Sequence, residues 1–163
     1  MISLKAPLLA ALLFSGAGAA LGQSAPAVQQ GVVKAETVSP KPGPAKYFTG
    51  KVTVAELVKP LAPGRAGTGL VTFQSGARSN WHTHPAGQTL YVTEGCGWTE
   101  REGGPVQRIC KGDTVYVPAG QRHWHGATDQ TTMTHLSITE TVGGRNVDWA
   151  EPVSGVQFHG PSR

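Results

Sequence analysis

His82-Thr83-His84 places two imidazoles one residue apart, and Gln88 follows after three further residues. Alternate side chains of an extended strand lie on one face, so His82 and His84 can reach the same metal ion. His123 comes later in the chain and can supply a third imidazole. Three neutral imidazole nitrogens and one amide oxygen suit a divalent transition metal. The sequence therefore predicts a metal site.

Glycines and a proline flank these residues at the spacing with which a small barrel turns its strands. One block spans residues 76–95 and contains the His-x-His pair, and a second spans residues 112–123 and contains a Pro-Ala-Gly turn before its histidine. Found in this order with a hairpin between them, the blocks resemble the two motifs of the cupin family. The resemblance covers about residues 47–152 and implies a small antiparallel β-barrel around one divalent metal ion.

Two departures from the general cupin pattern narrow the resemblance. Gln88 occupies the position usually filled by a Glu ligand, and Gly126-Ala127 stands near the place of an Asn that often closes the second block. The segments 81–90, 123–127 and 133–135 are similar to the bacterial cupin hydroxynitrile lyases, which bind manganese(II) through three His and one Gln. The resemblance implies the metal ligands His82, His84, Gln88 and His123, with His135 as a nearby acid/base.

The amide at Gln88 has a chemical consequence. An amide in place of a carboxylate removes one negative ligand charge, so the ion polarises a bound oxygen more strongly but is held less tightly. Such ligands suit Mn, Fe, Co, Ni or Zn, and manganese rests on the resemblance alone. Gln88 can alternatively orient a ligand imidazole while three histidines bind the ion.

Two further histidines are expected on the inner face. His125 shares strand parity with His123 and can be a fifth ligand, a hydrogen-bond donor in the pocket, or a polar group paired with backbone. His135 shares a face with Ser137 and Thr139. Burying polar residues on an inner face costs free energy, so a function is expected there, and for His135 that function can be proton transfer. The alternative is that His135 is a core histidine with satisfied hydrogen bonds.

Apolar residues complete the predicted pocket. Val71, Phe73 and Leu90 are expected to wall it, with Thr139 and His125 near the ligands. Trp124 has the opposite parity to His123, so we expect it to face outward, where cupin barrels often pack as homo-oligomers. His159 is expected to be exposed.

The two cysteines flank a predicted hairpin whose tip is Glu102-Gly103-Gly104-Pro105. In a symmetric hairpin Cys96 and Cys110 lie opposite each other and can form a disulfide in an oxidising compartment. A bulge at the glycine pair would shift the register by one residue and leave two small buried thiols.

Many short alternating runs with frequent turns predict an all-β fold, a single small antiparallel barrel of the cupin or jelly-roll type. The strand-like runs are residues 51–57, 70–74, 89–94, 97–101, 106–110, 114–117 and 131–140. The predicted divisions of the chain are a signal peptide at 1–22, a low-complexity linker or loosely ordered arm at 23–45, the barrel at 46–153 and a tail at 154–163.

The N-terminus predicts export. Lys5 precedes an apolar run from Ala6 to Phe14 and then small residues, which is typical of a signal peptide and shorter than the ~20 residues of a membrane span. We expect a secreted protein, periplasmic in a Gram-negative source, with no membrane partner after cleavage; an unprocessed protein is the alternative. Lysines and arginines are scattered without interleaved aromatics, so no nucleic-acid partner is expected.

The function that the resemblance implies is a metal-dependent lyase for a small organic molecule, in which the metal activates a cyanohydrin hydroxyl and His135 accepts its proton. Two alternatives remain open: a metal-dependent oxygenase, and a non-enzymatic barrel that binds a small ligand. The chain contains no Gly-x-Ser-x-Gly elbow and no phosphate-binding glycine loop, which argues against serine hydrolases and nucleotide-dependent enzymes.

Overall fold

The computed structural model describes residues 30–159. The predicted signal peptide, the first part of the predicted linker and the last four residues lie outside this range. No helix within residues 30–159 is both long enough and apolar enough to cross a membrane.

The regular secondary structure of the described residues is almost entirely β-structure. In order, its strands are β1 (Lys41–Pro42), β2 (Phe48–Thr49), β3 (Val52–Val58), β4 (Ala66–Phe73), β5 (Arg78–Ser79), β6 (His82–Thr83), β7 (Gln88–Arg101), β8 (Gln107–Cys110), β9 (Thr114–Val117), β10 (His123–Ala127), β11 (Met133–Glu140) and β12 (Asp148–Trp149). A 3-10 turn at Ala35–Thr37 precedes them, and a short helix, α1 (Gly155–Phe158), follows.

All strand pairs are antiparallel, and the principal order is β1-β3-β4-β11-β7-β10-β5-β2. Strand β7 connects the two halves of this curled sheet, because its first part pairs with β11 and β9 and its second part pairs with β10 and β8. The predicted all-β fold of antiparallel strands is confirmed.

Strand β7 replaces two separate predicted strands. Its change of direction falls at Gly95, whose φ of +68° favours glycine, and at Gly97. A Cβ on Gly97 would overlap the carbonyl oxygen of Gly126 on β10. These glycines therefore allow one strand to serve both halves of the barrel without interruption.

The inner face carries one apolar cluster, which adjoins the polar centre of the barrel through Val71 and Phe73 beside His135. Its buried members are Val52, Val71, Phe73, Ala77, Val92, Ile109, Ala127 and Met133. On β11 the inner residues are Met133, His135 and Thr139, whereas Leu136 is only half-buried and Ile138 is exposed. The sequence prediction that His135 lies on the opposite face from Leu136 and Ile138 is confirmed.

A second apolar cluster lies outside β10 and corrects one expectation. Trp124 lies with Trp81, Val153 and Phe158 beneath the C-terminal segment, and none of its surface is exposed. Trp124 therefore faces out of the barrel as predicted, but it is not available for contact with another subunit, because the chain's own C-terminal segment covers that face. His159, immediately after α1, is exposed as expected.

The C-terminal segment is held in place by specific contacts. Ser154 caps α1 through a capping box with Gln157. The Arg78 guanidinium donates to the carbonyl oxygen of Val153 and lies over the Phe158 ring, 4.6 Å from its centroid. Phe158 is thus the apolar anchor of the segment.

The cysteine hairpin has the symmetric register. Cys96 on β7 and Cys110 on β8 are directly opposed, and their sulfur atoms are bonded in a disulfide. The bridge lies next to the change of direction in β7 at Gly95 and Gly97 and joins this strand to the edge strand β8. The alternative, a register shifted by a bulge, is not observed.

Replacing Phe158 by Ala should lower the free energy of unfolding by about 3 kcal/mol, because it removes a buried aromatic that covers Trp124. Val156→Ala on the same helix is the matched control, since Val156 is 88% exposed. Urea unfolding followed by tryptophan fluorescence measures both variants. Equal stability of the two would contradict a covering role for the C-terminal segment.

Candidate metal centre

Two paired strands bring the central histidines together. His82 begins β6 and lies directly opposite His123 on β10, and their ring centroids are 4.2 Å apart. His84 follows β6, and its ring centroid lies 5.1 Å from that of His82. These three side chains are buried, so the strand pairing itself concentrates three imidazoles at one point inside the barrel.

Backbone carbonyls fix the orientation of these three rings. The Nδ1 atoms of His82 and His123 lie 2.9 Å and 3.1 Å from the carbonyl oxygens of Asn80 and Gln121, and the Nδ1 atom of His84 contacts the carbonyl oxygen of Asn146. A carbonyl only accepts, so each Nδ1 carries the proton and each Nε2 has a free lone pair. Metal-binding histidines are held in this way, by a hydrogen bond from the ring nitrogen that does not bind the ion.

Gln88 completes the group from the start of β7. Its Nε2 atom donates to Ser137 Oγ at 2.9 Å, which turns its Oε1 atom toward His123 Nε2 at 3.0 Å. With the His123 proton on Nδ1, this contact sets two lone pairs against each other, and a cation between them would make it favourable. His84 Nε2 is also buried without a hydrogen-bond partner. These atoms fit a divalent metal ion.

His125 and His135 adjoin this group. Ring nitrogens of His82, His123 and His125 lie within 4.8 Å of one another and form a cluster that could hold a metal ion. His84 is outside that cluster. Its ring centroid nevertheless lies 5.7 Å from that of His123, and the ring centroid of His125 lies 5.8 Å from that of His123. A carbonyl anchors the His84 ring, as is usual for metal-binding histidines, whereas neither ring nitrogen of His125 has a partner.

Burial keeps these imidazoles neutral. Desolvation lowers the pKa of His123 and of His135 to about 4 and lowers the pKa of His84. The pKa values of His82 and His125 are well below 6.5, mainly because of desolvation and also because neighbouring imidazoles repel a second positive charge. Neutral imidazole is the form that binds metals and accepts protons, so at neutral pH the whole group is ready for either task.

A cavity of about 210 Å³ opens beside the polar face of β11. Ser137, Thr139 and Val71 contribute to its wall, and Val71 lies directly opposite His135 across the β4–β11 pair. Asn146, whose carbonyl orients His84, also lines it. The cavity thus reaches the residues that support Gln88 and His84.

The remaining predicted pocket residues are deeper. Phe73 is fully buried, and its ring lies 5.8 Å from that of His135 and 5.6 Å from that of His125. Leu90 is fully buried and opposes Ser137. Phe73 therefore supports the two histidines, while Leu90 packs within the barrel.

Sequence reasoning did not identify the groups that orient the central side chains. Asn80, Gln121 and Asn146 act through backbone carbonyls, which leave no signature in residue type. Ser137 carried a detectable signal, since its parity with His135 placed it on the inner face. Its contact with Gln88 depends on the register between β7 and β11.

Comparisons with known proteins agree with the fold and with the site. Residues 69–139 match the Cupin domain family. Over 116 residues, covering 71% of this chain and 88% of its relative, the sequence is 51% identical to an (R)-mandelonitrile lyase of Granulicella tundricola.

Solved structures show the same barrel. A cupin-like protein from Thermotoga maritima has a TM-score of 0.69 and 35% identity, over 72% of this chain and 89% of that one. A predicted oxalate decarboxylase from the same organism has a TM-score of 0.61 at 21% identity, over 68% and 99%, and shows the fold alone. On its sequence and its structure, this chain belongs to the cupin family.

Proposed function

We propose that this protein is a metal-dependent cupin enzyme that acts on a small organic molecule, and that its reaction is of the hydroxynitrile lyase type. The observation that carries the proposal is the group of buried histidines with free Nε2 atoms. The 51% identical relative named (R)-mandelonitrile lyase supports the choice of reaction.

In this proposal His82, His84 and His123 hold the ion through Nε2, and Gln88 holds it through Oε1. A divalent ion there, manganese(II) in our proposal, supplies Lewis acidity toward the hydroxyl oxygen of a cyanohydrin. Ser137 orients the Gln88 amide, and three backbone carbonyls orient the imidazoles. The chain's own residues thus set the position of every ligand atom before the substrate arrives.

His135 is the proposed base. It is neutral and fully buried, and neither ring nitrogen has a partner, so one nitrogen is free to accept the hydroxyl proton. The O–H electron pair then forms the carbonyl, and the C–C bond breaks with its electron pair on the cyanide carbon. Cyanide takes the proton back from His135, which releases an aldehyde and hydrogen cyanide and restores the neutral ring.

Metal binding tests the ligand assignment. His82→Ala and His123→Ala should lose the metal after dialysis, because each removes an oriented ligand, whereas His159→Ala at an exposed site should retain it. Gln88→Glu should bind at least as tightly as wild type and cleave mandelonitrile more slowly, since the added charge weakens the Lewis acid. Metal analysis and benzaldehyde release measure these outcomes. Full metal content in both His→Ala variants would overturn the ligand assignment.

Substitution of His135 separates chemistry from metal binding. His135→Phe should retain the metal and lose at least 100-fold in kcat, because it removes the base but none of the proposed ligands. The ring volume is kept, which preserves the packing against Phe73. Metal content and mandelonitrile cleavage are measured on the same sample. Loss of the metal in this variant would place His135 among the ligands instead.

The stability of the metal-free protein should depend on pH through His135. Its pKa is about 4 when folded and about 6.5 when unfolded, so the unfolded state binds the extra proton between these values. Stability is therefore fully present above pH 6.5 and falls as the pH falls toward 4, by about 3 kcal/mol for this residue. His135→Phe should show a shallower loss in urea unfolding with chelator present. Parallel pH curves for the two proteins would contradict a buried neutral His135.

A further inference from the structure

One outer face of the barrel lies on strands β9, β7, β11, β4 and β3, which pair in that order. Inward side chains of these strands, such as Leu90 and His135, are fully buried, and alternate side chains point to the other face. There Tyr116 is 74% exposed, Tyr91 is 45% exposed and Ile138 is 36% exposed. The outer face of β10 is covered by the C-terminal segment, whereas these three large side chains remain in contact with solvent.

The strand registers place the outward residues of this face in three rows. The rows are Thr53, Thr72 and Thr134; Ala55, Leu70, Leu136, Tyr91 and Thr114; and Thr68, Ile138, Thr89 and Tyr116. None of these residues is charged. Charged residues lie at the margin, where Glu94 is beside Thr134 and where Glu140 pairs with Arg65. An uncharged centre that contains tyrosines, with charges only at its rim, is the composition of a protein–protein interface.

The charge of the chain favours a second copy as the partner. The chain has a formal net charge of +4 at pH 7, so two copies repel each other unless their contact avoids bringing like charges together. The three rows meet this condition because they contain no charged side chain. For the same reason they offer nothing that would select a strongly acidic or strongly basic partner.

A protruding ring and a groove lie side by side on this face. The groove has a volume of about 200 Å³, and its lining includes Ala66, Ala86, Thr89, Ile138 and Tyr116. A two-fold axis brings the same surface of both copies into contact. With the axis beside Tyr116, the ring of each copy enters the groove of the other. The surface therefore contains both complementary parts of a symmetric contact.

The area of the face is sufficient for such a contact. Strands spaced ~4.8 Å apart and rows of side chains spaced ~6.8 Å apart give these five strands and three rows a flat footprint of roughly 500 Å². The relief of the side chains raises the accessible area above this flat value. Specific interfaces begin at about 600 Å² per partner. Two such faces can thus form a dimer without recruiting the edges of the sheet.

We propose that this face is the interface of a homodimer, in which two copies pack their sheets face to face about a two-fold axis. Tyr91, Leu136 and Ile138 form the apolar centre of the contact, and Tyr116 of each copy fills the groove of the other. The Thr side chains around them contribute methyl groups and hydroxyls that stay paired or solvated at the edge. This inference goes beyond the proposed reaction and does not depend on it.

Sedimentation equilibrium over a range of protein concentrations tests the proposal. Wild type should reach twice the mass of one chain, and Ile138→Arg should weaken the dimer roughly 100-fold, because each copy brings a like charge into an uncharged contact. Tyr116→Arg, at a more exposed position, tests the same contact if Ile138→Arg folds poorly. Val156→Arg is the matched control, since Val156 is exposed but lies on α1, outside this face.

Hydroxyl-radical footprinting shows what covers the face. In wild type, Tyr91 and Tyr116 should be oxidised slowly when the dimer is formed and faster after dilution, whereas in Ile138→Arg both should be oxidised quickly at every concentration. Tyr47, which stacks on Trp149 away from these strands, is the internal reference and should not change.

Three results would overturn the interface. The first is a wild type that stays monomeric at every concentration, and the second is a dimer that both arginine variants leave as stable as Val156→Arg does. The third is slow oxidation of Tyr116 in a monomer, which would assign the cover to the chain's own residues outside 30–159.

Discussion

The burial of five imidazoles inside one small barrel is the constraint on which the rest of the structure depends. Removed from water, an imidazole is costly to charge, and neighbouring imidazoles repel a second charge further. All five imidazoles are therefore neutral near pH 7, and each keeps a basic lone pair.

The five neutral rings are of two kinds, which differ in whether a backbone carbonyl fixes the orientation of the ring. His82, His84 and His123 donate from Nδ1 to backbone carbonyls, so their tautomers and their free Nε2 atoms are set by the path of the chain. His125 and His135 have no such partner and rest against Phe73. The first kind has the orientation that metal-binding histidines require, whereas the second kind keeps all four ring nitrogens without a hydrogen-bond partner.

The sequence predicted much of this arrangement because the relevant patterns are local. Strand parity placed His135 and Ser137 on one inner face, and motif spacing brought His82, His123 and Gln88 toward a single point. Parity was insufficient for Trp124, because parity says which face a side chain occupies but not whether a distant segment covers it. The continuity of β7 was not predicted either. Gly95 and Gly97 were interpreted as a break between two strands, whereas in the structure they allow one strand to bend.

The polar face of β11 also explains where the apolar contacts of the barrel are placed. Inner positions that could have held Leu or Val hold His135, Ser137 and Thr139, so this strand contributes little to hydrophobic stability at its centre. Apolar packing comes instead from neighbouring strands, which place Val71 and Val92 beside His135, and from the cluster outside β10, beneath Phe158. The Cys96–Cys110 bridge adds a covalent restraint beside the bend in β7. Unpaired ligand atoms weaken the barrel, so an ion held by them would link metal binding thermodynamically to folding.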